Sequence, residues 1–134
     1  MKNLAASLFL LFAALPSAAQ SPIPPEEFLD HAVGKTLTFR DYGTGEFVGV
    51  EEFLNRTLTV WRDNSGNCVY GVVTIENGQL CFLYEALNLD PVCWWTFRDG
   101  DRLLVLLSKL VNGEIQEVAS ISDQRLSCPD HPRT

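Results

Sequence analysis

From residue 35 onward, apolar and polar positions alternate with a period of two. The runs give eight strands, at about 35–40, 46–54, 57–62, 68–75, 80–85, 92–98, 102–108 and 114–121. Between them fall Tyr42-Gly43-Thr44-Gly45, Asp63-Asn64-Ser65-Gly66-Asn67, Asn77-Gly78, Asp99-Gly100 and Asn112-Gly113. Asn-Gly and Asp-Gly suit the type I′ turn, whose two central residues both need positive φ. Short strands joined this way predict a mainly β fold. The expected architecture is an antiparallel meander of about eight strands forming a barrel or half-barrel, because closure removes open edges. Before the meander the period is helical. Phe28, Leu29, Ala32 and Val33 share one face of 26–33. Pro25 suits the first helical position, Glu26 and Glu27 suit the positive end of the dipole, and Gly34 is a stop. One short N-terminal helix is therefore expected against the sheet.

Hairpin registers assign faces. A two-residue turn at Asn77-Gly78 puts Ile75 opposite Leu80, Val73 opposite Phe82 and Gly71 opposite Tyr84. Gly71 then makes room for the Tyr84 ring. A two-residue turn at Asp99-Gly100 puts Trp95 opposite Leu104 and Trp94 opposite Val105. One face collects Val73, Ile75, Leu80, Phe82, Tyr84, Trp94, Leu103, Val105 and Leu107. The other collects Cys81, Leu83, Cys93, Trp95, Phe97, Leu104 and Leu106. Strand 102–108 is apolar on both faces, so the core must cover one and a helix, a loop or a second protein the other.

The chain opens with Met1-Lys2-Asn3, an apolar run from Leu4 to Leu15, and Pro16-Ser17-Ala18-Ala19. This is the three-part pattern of a secretory signal, here residues 1–19, with a cut expected after Ala19. The apolar run is too short for a spanning helix, which needs about 20 residues. Residues 20–134 are expected to form one domain, without membrane association after cleavage, and periplasmic or secreted. Loss of Lys2 with the leader takes the net charge from −7 to −8. That charge disfavours nucleic acid as a partner. Cys68, Cys81, Cys93 and Cys128 all fall in the domain, and four cysteines in a small exported domain predict two disulfides. A symmetric connection between the fifth and sixth strands sets Cys81 opposite Cys93, which leaves Cys68 with Cys128. The spacings contain no C-x-x-C pair and no nearby histidine, so no metal site is expected.

Little else points to chemistry. Trp94 and Trp95 are neighbours on a strand and point to opposite faces. One belongs inside; the other packs under the helix or meets a partner. Tyr84, Phe82, Trp94 and Trp95 are the candidate binding residues. Tyr70 joins them if the sheet closes on a cavity. Glu51 and Glu52 also point apart, so they are no acid/base dyad of the glycosidase kind. Glu85 and Asp90 flank loop 86–91 and read as solvated acids. His31 ends the helix and His131 lies in the tail. No phosphate loop, dinucleotide fingerprint, nucleophile elbow or metalloprotease motif is present. No catalytic residue and no cofactor are expected.

Cys68-x-x-Gly71, Gly78-x-x-Cys81-Phe82-x-Tyr84-Glu85, Cys93-Trp94 and a lone Cys128 form a set. With Gly34-Lys35-Thr36-Leu37 and Gly49-Val50-Glu51-Glu52-Phe53-Leu54, the set resembles a family of small secreted bacterial proteins with four cysteines and no assigned activity. The resemblance implies an exported β-domain and no catalytic residue. The expected function is that of a binding or interaction module with an unknown ligand or protein partner, not an enzyme. The alternative is an inhibitor of a cationic cell-wall hydrolase such as lysozyme, with loop 86–91 as its inserted segment.

Overall fold

The computed structural model describes residues 20–85, 90–109 and 113–128. The leader, most of loop 86–91 and His131 lie outside these residues. The order of elements is β1 (Ser21–Pro22), α1 (Pro25–Ala32), β2 (Thr36–Asp41), β3 (Phe47–Phe53), β4 (Leu58–Asp63), β5 (Cys68–Glu76), β6 (Gln79–Tyr84), β7 (Val92–Asp99), β8 (Arg102–Leu107) and β9 (Ile115–Ser122). Each strand from β2 to β9 pairs antiparallel with the next, and β9 pairs back onto β2. The meander is thus a closed eight-stranded barrel. Eight of the expected strands are present, each within a residue or two of its expected bounds.

The Asn77-Gly78 hairpin has the expected form. Asn77 has φ 52° and Gly78 φ 75°, and Ile75, Val73 and Gly71 stand opposite Leu80, Phe82 and Tyr84. The next hairpin differs. Asp99 pairs with Arg102, so the turn is Gly100-Asp101, not Asp99-Gly100. Gly100 has φ 59° and Asp101 is not in the left-handed region. This is the type II′ pattern, with glycine at the first central position. Trp95 therefore faces Leu106 and Trp94 faces Leu107. The slip is two residues along the partner strand, so every side chain keeps its expected face.

The helix lies across one end of the barrel rather than against the wall. It begins at Pro25 and buries Phe28, Leu29 and Ala32. The turns 54–57, 77–78 and 100–101 share that end. Arg56 from the first of them pairs with Asp30 of α1 at 2.7 Å. The Gly34 amide donates to the Phe53 carbonyl at 2.8 Å, and Arg98 meets Glu27 at 3.3 Å. The helix buries Phe28 against Phe53, with ring centroids 6.4 Å apart. The segment after Gln20 adds a strand that the period does not announce. Ser21 and Pro22 pair with Arg98 and Phe97, along the edge of β7 that β6 leaves free beyond Leu80. Pro22 suits such an edge position, where no ladder donor is needed.

Two coverings complete the outer wall. Leu104, outward on β8, is only 1% exposed. The helix does not cover it, contrary to one expectation. On the same side of β7 and β8, Tyr42 meets the neighbouring outward residues: its hydroxyl donates to Asp99 at 3.1 Å, and the Arg102 guanidinium sits 5.3 Å over its ring. On the other side, the segment after β9 lies over Val60, where Leu126 and Cys128 are buried. Glu52 accepts from the Leu126 amide and from Arg125 Nε, both at 2.9 Å. The disulfides are Cys81–Cys93 and Cys68–Cys128, as expected. Among the described residues no helix is long and apolar enough to cross a membrane.

The two disulfides close loops of different length, with sequence separations of 60 and 12. Loop-closure entropy gives about 4 kcal/mol for the longer and about 3 kcal/mol for the shorter. The pair Cys68→Ser/Cys128→Ser should therefore lower the midpoint of denaturation more than Cys81→Ser/Cys93→Ser. It should also raise hydrogen exchange at the Leu126 amide. Equal midpoints with an unchanged Leu126 amide would contradict the role assigned to the tail.

Candidate functional site: a barrel cavity with a buried carboxyl

Inward side chains do not fill the barrel. A cavity of about 160 Å³ remains, lined by Phe28, Phe39, Glu51, Trp61, Leu80, Phe82, Tyr84, Val92, Trp94, Val105 and Gln116. The aromatic rings form most of its wall. Phe39 and Trp61 have centroids 6.2 Å apart, and Phe82 stacks on Tyr84 at 5.9 Å. Of the candidate binding residues, Phe82, Tyr84 and Trp94 meet here. Trp95 does not. It points outward, is 39% exposed, and lines a surface groove with Pro22, Pro24, Gly78 and Phe97. Tyr70 also lies outside the cavity, against the cluster under the C-terminal tail. The Trp pair thus divides between interior and surface, as neighbours on a strand must.

The residue that changes the picture is Glu51. It is 2% exposed, inside the barrel, while Glu52 faces the outer wall and holds the tail. Alternation had separated the two acids, and that separation drives one of them into the core. Its Oε2 accepts a hydrogen bond from the Tyr84 hydroxyl at 2.8 Å. Tyr84 is on β6 and Glu51 on β3, so the tyrosine must cross β5 and β4. Gly71 permits this: a Cβ there would lie 2.7 Å from the ring. Thr59, fully buried on β4, is near enough to favour the charged carboxyl. Its hydroxyl falls short of hydrogen-bond geometry, so Thr59 Oγ1 and Glu51 Oε1 both stay buried and unsatisfied. A second glycine serves the same wall. A Cβ at Gly49 would lie 2.2 Å from the Trp61 ring.

Burial governs the chemistry. Desolvation penalises the charged form and pushes the Glu51 pKa up to about 7, with Thr59 and Tyr84 opposing weakly. The Tyr84 hydroxyl is pushed well above its ordinary value, first by burial and then by the neighbouring carboxyl. An unsatisfied buried oxygen costs on the order of 1–3 kcal/mol. Among the described residues that line the cavity there is no Lys, Arg or His. The other acids considered in the sequence do not gather here. Glu85 and Asp90 are exposed where described, and His31 meets Arg98 at 3.0 Å outside the barrel. Glu76, Cys81 and Cys93 come together, but both sulfurs are in the disulfide and do not offer thiolates to a metal.

The chain matches no protein-family model, no curated protein and no solved structure. Function is therefore read from the cavity itself.

Two outcomes follow from this geometry. Gly71→Ala forces the Tyr84 ring aside, which overpacks the wall and breaks its bond to Glu51. A loss of about 1–3 kcal/mol is expected, and Tyr84→Ala in the same background should relieve part of the overpacking. An unchanged melting temperature in Gly71→Ala would count against the packing described. The second concerns pH. Unfolded Glu51 ionises near 4.5 and folded Glu51 near 7. Between these values the unfolded chain has released a proton that the folded chain keeps. Its contribution to stability is thus full below about pH 4.5, falls as pH rises to about 7, and is then lost, by about 3 kcal/mol in all. Glu51→Gln should abolish that decline. Parallel pH profiles for the two proteins over this range would show that the group does not titrate as described.

Proposed function

We propose that this protein is an exported binding module that holds one small, mainly apolar molecule inside its barrel. The observation that carries this reading is the cavity: about 160 Å³, walled by aromatic rings, with one buried carboxyl. Eight-stranded barrels either fill with side chains or enclose one small ligand. Here Gly71 and Gly49 let the Tyr84 and Trp61 rings press close to the backbone of the wall, and space is left inside. The floor is closed by α1 through Phe28. A filled core would have used that space, because voids cost stability. Export is supported by the leader pattern of residues 1–19 and by two disulfides with no free cysteine.

The test is native mass spectrometry of the protein purified from an exporting host, with both disulfides formed. One adduct per chain is expected, surviving gentle ionisation and leaving on denaturation. Val105→Phe narrows the cavity and should abolish the adduct while the protein keeps its fold by circular dichroism. Toluene, a probe of matching size, should alter the fluorescence of Trp61 and Trp94 in the wild type and not in Val105→Phe. A bare chain that also ignores toluene would overturn the proposal.

A further inference from the structure

We propose that the preferred ligand is a compact primary amine with a flat apolar body, whose ammonium group is received by Glu51. The inference rests on the cavity being a ligand site and goes on to name what the site selects. Three observations carry it. Glu51 lines the cavity, and its buried Oε1 makes no hydrogen bond, while Oε2 is already taken by Tyr84. Among the described lining residues, which include the Gln116 amide and the Tyr84 hydroxyl, the Glu51 carboxyl is the strongest acceptor. Among the described residues no cationic side chain lines it, so a charged Glu51 gains no counter-charge from the described wall. The remaining wall includes the faces of Trp61, Trp94, Phe39 and Phe82. Aromatic faces attract a cation and pack against a flat apolar body.

The volume bounds the size. An apolar cavity of about 150 Å³ is known to take benzene, so a body of one six-membered ring with a short aminoalkyl arm fits this one. An ammonium forms a charge-assisted bond to Oε1 and balances the carboxylate in the same step. A neutral alcohol supplies a bond but no charge. An anion meets repulsion from Glu51. A buried charge is tolerated when it is paired, and here the protein supplies only half of the pair.

The proton balance is explicit. In the empty barrel at mildly acidic pH, Glu51 holds a proton. An entering ammonium requires the carboxylate, so that proton leaves to solvent and the amine keeps its own. Affinity then rises with pH through neutrality. Tyr84 is the other titratable group lining the cavity, and it stays neutral over this range because burial raises its pKa. Glu52 faces the opposite side of β3 and is held by Arg125 and the Leu126 amide. Thr59 and Gln116, the polar neighbours on β4 and β9, do not titrate.

The experiment titrates the folded, disulfide-bonded protein with benzylamine, benzyl alcohol, toluene and benzoate, following tryptophan fluorescence and the methyl resonances of Leu80 and Val105. At about pH 8, benzylamine should bind at least about tenfold more tightly than benzyl alcohol or toluene, and benzoate should not bind. At about pH 5.5 the benzylamine affinity should fall about thirtyfold and that of toluene should hold. Glu51→Gln should remove the preference for benzylamine while leaving toluene binding intact, which also shows that the variant is folded. Equal affinity of benzyl alcohol and benzylamine at the higher pH would overturn the ammonium assignment, as would a preference that survives in Glu51→Gln. Toluene binding in those cases would leave the cavity reading standing. Failure of all four compounds to bind would sink both.

Discussion

The hydrogen bond from Tyr84 to Glu51 fixes much of the interior. It spans four strands and demands a glycine at residue 71, because any side chain there would occupy the ring's path. It holds the Tyr84 ring close over Gly71, and Phe82 stacks on the same ring. Large rings laid along a barrel wall cover area without filling its centre. The cavity is the geometric result. The carboxyl in turn stays in place because the tyrosine satisfies one of its oxygens, which offsets part of the cost of burial.

The barrel around this pair is closed in three ways. Pairing of β9 with β2 removes the sheet edges. The helix seals one end through Phe28, Leu29 and Ala32. The tail and the Tyr42 cluster cover apolar residues that the strands turn outward. Each covering uses a charged residue to fix an apolar one. Arg56 and Asp30 tie down the helix, Glu52 anchors the Leu126 segment, and Arg102 lies over Tyr42. Surface ion pairs add little by themselves. Their use here is to set where hydrophobic pieces land.

Local rules made most of the architecture legible in the sequence. Asn77-Gly78 set one hairpin, and its register placed Gly71 against Tyr84, while a symmetric connection to the next strand placed Cys81 against Cys93. Asp99-Gly100 misled by one position in the turn. Glycine serves type I′ and type II′ turns alike, and the chemistry of the dipeptide does not say which central position it takes. Glu51 was hidden for a different reason. Alternation showed that Glu51 and Glu52 part company, but an inward acid contradicts the usual placement of charge. Only its long-range partner explains it, and Tyr84 is 33 residues away. The short β1 strand carries no periodic signal in two residues. The cavity depends on how rings lie across several strands, which no local pattern records.

The bond between Cys68 and Cys128 joins the start of β5 to a residue beyond the last strand. A chain emerging from its N-terminus can close Cys81 on Cys93 once two adjacent strands exist. It cannot close Cys68 until every strand of the barrel has been made and the tail has crossed the outer wall. A product stopped short of residue 128 would keep a free thiol at Cys68. The second crosslink thus acts as a seal on completed synthesis, and a thiol left at Cys68 would distinguish an unfinished molecule from a finished one.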